Sequence, residues 1–163
     1  MIVVMGASGA GKTTVGSALA AALEWRFVDA DDFHAPENVV RMRQGIPLTD
    51  RERAPWLALL RAEAATILSG GESLVLACSA LRHSYRAALV PVGAAPDAVR
   101  FVYLNAPTEL LLDRLSHREG HFAGVELLES QLSTLEEPEH ALWVDARRDP
   151  ADIVAEIREA VGV

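Results

Sequence analysis

The chain of 163 residues has one cysteine, Cys78, so no internal disulfide can form. That excludes a disulfide-stapled secreted scaffold and makes a reducing compartment the expected setting. Long apolar runs are missing too, and no stretch approaches the roughly eighteen uninterrupted apolar residues of a membrane span. The chain runs from Met1 straight into a short strand-like stretch. The expectation is therefore a soluble cytoplasmic protein with no membrane role. Positive charge is scarce: 15 basic against 23 acidic residues give a net charge of -8, which argues against a nucleic-acid or anionic-membrane binder. His and Cys are nowhere spaced as metal ligands, so a transition-metal site is not expected. Repeats, low-complexity tracts and Pro/Ser linkers are absent.

What is present is apolar: half of the residues are hydrophobic. A chain of this length buries roughly 70% of its unfolded surface, enough to fold without disulfides or a structural metal. Short apolar runs at Ile2 to Met5, Phe27 to Asp29, Leu74 to Cys78, Val99 to Leu104 and Ala141 to Asp145 read as buried parallel strands. Between them Val15, Leu19 and Leu23 form a helical stripe over residues 12–23, and Leu57, Leu60, Ala64, Ile67 and Leu68 form a second that Gly70-Gly71 stops. Strands alternating with helices imply right-handed crossovers and a parallel sheet covered on both faces, in one α/β domain over residues 1–163. Thr49 and Glu52 have capping-box spacing, but Pro55 would then lie deep in the helix. The reading adopted is a short turn over residues 50–53 and a long helix beginning near Pro55. That leaves Asp50 and Arg53 on a turn suited to a substrate contact.

The strongest motif is GASGAGKT at residues 6–13, a glycine, four residues, then Gly-Lys and Ser/Thr, placed between a strand and a helix. Gly6, Gly9 and Gly11 let successive N–H groups turn toward phosphate oxygens, and the helix N-terminus adds partial positive charge. Lys12 can reach the β and γ phosphates, and the Thr13 hydroxyl can ligate magnesium.

Asp29, Asp31, Asp32 and His34 follow the second strand, and ligands in open α/β sheets sit beyond the carboxyl ends of strands. Asp29 and Asp31, alternate residues, place one carboxylate near a metal's water shell and one near an acceptor hydroxyl; Asp32 reads as solvated. Arg114 and Arg118 are four apart on a predicted helix, and Arg82 and Arg86 repeat the same spacing after Cys78-Ser79-Ala80-Leu81. Each pair suits either an anion held between two guanidiniums or an ordinary solvated basic face. Cys78 reads as a buried small residue, His83, His117 and His140 as surface, and Trp25 and Trp143 as packing, the latter near where an adenine passes.

A GTPase switch would carry DxxG and NKxD, and neither occurs. A motor or assembly ATPase would need more chain and acidic residues after the third strand, where Cys78-Ser79 stands. A small-molecule kinase needs only a nucleotide site, an acceptor site and a lid, which this length accommodates. A regulatory nucleotide-binding module is the non-enzyme alternative, disfavoured by anion-suited groups after several separate strands.

The series GASGAGKT, VDADDFH at 28–34, Asn38, Met42, GIPLTDRERAPWL at 45–57, CSALRHSYR at 78–86, RLSHREGHF at 114–122 and LLESQLSTLEEP at 127–138 resembles the gluconokinases in order and spacing. Shikimate kinases differ by a glycine-rich stretch where Cys78 to Leu81 stands, and adenylate kinases by a longer chain. The resemblance implies a P-loop NTPase fold, three-layer α/β/α with a five-stranded parallel sheet like shikimate and nucleoside monophosphate kinases. It also implies a homodimer and transfer of the ATP γ-phosphate to the 6-hydroxyl of D-gluconate. On matching positions it puts Gly6, Ala7, Ser8, Gly9, Ala10, Gly11, Lys12, Thr13, Thr14, Arg114 and Arg118 around ATP. Thr13, and Asp29 through water, would hold Mg2+. Asp31, His34, Arg53, Arg82, Arg86 and His121 would surround gluconate, with Lys12, Asp31, Arg114 and Arg118 serving the transfer and Asp31 mainly aligning the hydroxyl. A short lid is expected around residues 114–126. Ala123-Gly124 departs from the family's bulky residue and proline there, which bears on lid stiffness.

Overall fold

The structure is a computed structural model that describes residues 1–95, 97–117 and 125–162. Five strands, β1 (Ile2–Met5), β2 (Arg26–Asp29), β3 (Leu74–Ala77), β4 (Arg100–Asn105) and β5 (Ala141–Asp145), form one sheet in the order β2-β3-β1-β4-β5. All neighbours pair in parallel, as with Val4 opposite Ala77 on one side and Val102 on the other. The strand runs read from the sequence agree to within a residue at each end.

Alternation along β1 divides the apolar side chains between two layers, as the period of two in a strand requires. Ile2 and Val4 face a core with Val15 and Leu19 of α1 (Lys12–Leu23), Leu111 and Leu115 of α5 (Thr108–Ser116), Leu128 of α6 (Val125–Thr134), and Ile153 and Ile157 of α7 (Pro150–Val161). Val3 and Met5 face the opposite core, with Trp56, Leu57, Leu60, Ala64 and Ile67 of α3 (Asp50–Ser69) and Tyr85 and Leu89 of α4 (His83–Leu89). Helices thus cover both faces, the arrangement expected of buried parallel strands. No helix among the described residues is long and apolar enough to cross a membrane.

One expectation is corrected. α3 begins at Asp50, not near Pro55, and Pro55 lies inside it. The capping box prevails: the Thr49 N–H donates to Glu52 Oε2 at 2.7 Å, and the Glu52 N–H donates to Thr49 Oγ1 at 3.3 Å. Pro55 forfeits one N–H donor, but it and Arg51 are both exposed, so the Arg51 carbonyl that loses its helical partner is not sealed away from water. Asp50 and Arg53 therefore stand on the first turn of α3. A further helix, α2 (Pro36–Arg43), starts with proline in its first turn, where the missing N–H costs nothing.

The chain leaves β1 toward β2 on one side and later reaches β4 on the other, so the order reverses beside β1. The mouth of the sheet opens at that point.

Candidate active site

The loop from Gly6 to Gly11 leaves β1 at this reversal, and two glycines in it are sterically obligatory. Gly6 and Gly9 have φ of 147° and 85°, and a Cβ on either would stand 3.0 Å from a backbone oxygen, of Leu104 and of Leu111 respectively. Packing and backbone conformation both reject a side chain there. The loop's N–H groups open at the start of α1, a ready-made anion site. Lys12 extends from the first helical position, and its Nζ donates to the Ala7 carbonyl at 3.1 Å.

Thr13 and Asp29 meet across the mouth: Thr13 Oγ1 donates to Asp29 Oδ2 at 2.7 Å. The other Asp29 oxygen accepts the Asp31 N–H at 3.0 Å and so caps the 3-10 turn Ala30–Phe33. Asp29 thereby links the start of α1 to the backbone that carries Asp31. Asp32 is exposed, as its reading as a solvated residue requires.

On one side of the loop lies a cavity of about 310 Å³ lined by Gly9, Gly11, Thr14, Arg114, Arg148 and Pro150. Arg114 braces its wall, donating to the carbonyls of Gly9 at 3.3 Å, Ala10 at 3.2 Å and Ala146 at 2.8 Å. α5, which carries Arg114, is described to Ser116. Arg118, His121 and the core of the expected lid, residues 118–124, lie outside the described residues.

On the other side a narrow crevice brings together Ser8, Lys12, Asp31, His34, Arg53 and Tyr85. The His34 ring stacks on Trp56 with centroids 4.3 Å apart, and its Nε2 lies 3.9 Å from Asp31 Oδ1. Burial pushes the imidazole below its ordinary 6.5; nearby Asp31 opposes this and Arg53 adds to it. His34 is held toward the neutral form. Arg53 Nη1 donates to the Tyr85 hydroxyl at 3.2 Å and lies 3.7 Å from Asp50 Oδ1. The Tyr85 hydroxyl donates in turn to Asp50, which also accepts from Arg82 at 2.9 Å. That hydrogen bond, with Arg82 and Arg53 beside it, holds the Asp50 carboxyl below its ordinary value.

Arg82 and Arg86 go separate ways. Arg82 stands at the rim through Asp50. Arg86 does not line the crevice: its Nη1 donates to the carbonyls of Ala80 at 3.0 Å and Leu81 at 3.2 Å. It stands instead in a separate pocket with His83, Phe101 and Glu136. Ala80 has a left-handed φ of 46°, so Arg86 ties down a strained loop. Cys78 is buried and its thiol is pushed up to about 12 by that burial, which leaves it inert as a nucleophile. Trp143 is half exposed and packs edge-on against Tyr103 at 4.8 Å, in a surface pocket apart from the 310 Å³ cavity.

The chain is 46% identical over 162 residues to the gluconokinase of Gluconobacter oxydans (strain 621H), covering 95% of this chain and 86% of that protein. The chain belongs to the gluconokinase family. Residues 1–138 match the family described as AAA domain. The crystal structure of a gluconokinase from Sinorhizobium meliloti 1021 superposes with a TM-score of 0.84 at 42% identity, covering 99% of this chain and 90% of that one. Shikimate kinase from Aquifex aeolicus shares the fold, with a TM-score of 0.62 at 18% identity over 99% of this chain and 95% of that one.

Against this gluconokinase scaffold, three side chains at the crevice went unread in the sequence. Trp56 sits within the apolar stripe of α3, which hides that its indole N–H donates to the Ala30 carbonyl at 2.7 Å and that its ring carries His34. Tyr85 lies inside the CSALRHSYR stretch, where the spacing of Arg82 and Arg86 gives no sign that its hydroxyl joins Arg53 to Asp50. Gln131 of α6 pairs with Ser8: the Ser8 N–H donates to Gln131 Oε1 at 2.7 Å, and Gln131 Nε2 donates to Ser8 Oγ at 2.9 Å. It lies inside the LLESQLSTLEEP stretch, but no local spacing gives it a role, since its partner is 123 residues away.

Proposed function

We propose that this protein transfers the γ-phosphoryl group of ATP to the 6-hydroxyl of D-gluconate, giving 6-phospho-D-gluconate and ADP. The observation that carries the reading is one crevice that holds Lys12 of the phosphate loop, the Asp31 carboxylate and the Arg53 guanidinium together. A sugar acid presents a hydroxyl at one end and a carboxylate at the other, and these groups answer both.

Lys12 and the loop amides hold the β- and γ-phosphates, while Arg114 keeps the loop's outward carbonyls tied back. Asp31 aligns the acceptor hydroxyl for in-line attack and takes its proton late, because the transition state is loose. Arg53 reads the gluconate carboxylate with its planar fork, and neutral His34 exchanges hydrogen bonds with the sugar hydroxyls. The Thr13 hydroxyl and Asp29, 2.7 Å apart, are adjacent hard oxygen donors that fit magnesium, Thr13 directly and Asp29 through water. When bound, that ion neutralises charge on the β- and γ-oxygens. Arg118 and His121 enter through the family resemblance, as do the lid and the homodimer.

A coupled ADP-release assay over gluconate, shikimate, glycerate and nucleoside monophosphates tests the proposal. A clear preference in kcat/KM for gluconate is expected, and no such preference would sink it.

A further inference from the structure

We infer that Gln131 is a further substrate-contacting residue of phosphoryl transfer, donating a hydrogen bond from its side-chain amide to the γ-phosphoryl group. The inference rests on transfer from ATP, whatever the acceptor.

The carboxamide has only one chemically sensible orientation. The Ser8 N–H can only donate, so the group 2.7 Å from it must be the amide oxygen. That places Nε2 against Ser8 Oγ, at 2.9 Å. Two consequences follow from counting hydrogens. Nε2 carries two, and one is engaged by Ser8 Oγ; among the described residues no protein acceptor takes the second. Ser8 Oγ, by accepting from Nε2, keeps its own hydrogen to donate elsewhere. Ser8 and Gln131 both line the crevice beside Lys12 and Asp31, so the donors left over lie where donor phosphate and acceptor meet.

The placement is also rigid. Ser8 is buried within the phosphate loop, and the paired bonds fix both ends of the carboxamide. A neutral donor held in advance at the site of charge development lowers a transition state without reorganising. It complements Lys12, whose charge serves the same oxygens from the start of α1. Arg114 from α5 holds the far limb of the loop by its carbonyls, whereas Gln131 from α6 holds the near limb by an N–H and a hydroxyl. Of the two, only Gln131 has a donor to spare toward the crevice.

The test compares ADP, which lacks the γ group, with the non-hydrolysable triphosphate AMPPNP. Binding of each to wild type and to Gln131→Ala, Gln131→Glu and Ser8→Ala is measured by calorimetry, with thermal melts confirming that each variant folds. For Gln131→Ala we expect ADP affinity unchanged within about twofold and AMPPNP affinity weakened about tenfold, the equivalent of one hydrogen bond to a charged oxygen. Gln131→Glu can still accept from the Ser8 N–H but sets a carboxylate against the phosphoryl oxygens, so its AMPPNP loss should exceed that of alanine. Ser8→Ala should show a smaller loss in the same direction. Equal losses for ADP and AMPPNP would make Gln131 a brace of the loop only, and no loss for either would remove it from the site. Neither readout uses an acceptor, so failure here is distinguishable from failure of the gluconate assignment.

Discussion

Replacing Arg53 with alanine tests how the acceptor's carboxylate is recognised. The Arg53 side chain is only 20% exposed, and its Nη1 is engaged by Tyr85 at 3.2 Å and lies 3.7 Å from Asp50. One edge of the guanidinium is therefore anchored while the residue lines the crevice, which is preorganisation for a planar anion. Hydrogen bonds to a charged group contribute about 1.5–3 kcal/mol, so their loss should raise the gluconate KM roughly 10- to 150-fold. The carboxylate lies at the opposite end of the substrate from the reacting hydroxyl. Its interaction is the same in the ground and transition states, and kcat should change little. The ATP KM should stay within about threefold, because Arg53 does not line the 310 Å³ cavity on the other side of the phosphate loop, where the rest of the nucleotide is expected. Folding should survive, since Asp50 retains Arg82 at 2.9 Å and the Tyr85 hydroxyl. Arg53→Lys keeps the charge without the fork and should fall between the two. Steady-state kinetics with each substrate varied at saturating concentration of the other decide the matter. Equal rises in both KM values, or a rise for ATP alone, would move Arg53 to the nucleotide side and refute the assignment.

Asp31→Asn should bind ATP as the wild type does while transfer slows by roughly a hundredfold or more; a rate close to wild type would remove Asp31 from the acceptor role. Arg86→Ala should lower unfolding free energy by about 2–3 kcal/mol in urea titrations, because two loop carbonyls lose a nearly buried charged donor. Its gluconate KM should move less than that of Arg53→Ala, and the reverse order would restore Arg86 to the crevice. His34 confers a pH dependence of stability. Its folded pKa lies below the ordinary 6.5, so the unfolded chain takes up the proton first. Stability should therefore fall as pH drops from about 6.5 toward the folded value. His34→Gln should flatten that part of the profile, and an unchanged slope would show that another group titrates there.

The fold was legible wherever a local pattern suffices. Apolar runs of strand length located all five strands, and the phosphate-loop spacing located the crossing between β1 and α1. Where two local rules conflicted, the sequence could not rank them. Thr49 with Glu52 asked for a helix at Asp50 and Pro55 asked for one later; the outcome depended on Pro55 facing water, which spacing does not reveal. The arginines failed differently. Arg82 and Arg86 are four apart, yet Arg82 is the N-cap residue of α4 with extended backbone, so the helical screw that would align them is absent. Arg82 instead meets Asp50, 32 residues away, while Arg86 turns under the Ala80 and Leu81 carbonyls. A guanidinium's destination is set by an acceptor distant in sequence. For the same reason a net charge of -8 is a poor guide to anion binding. Asp50 draws Arg82 to the rim and, through Tyr85, steadies Arg53. One acidic residue from the majority thereby fixes two guanidiniums in place near where the proposed carboxylate docks, so the placement of individual charges, and not their sum, decides anion binding.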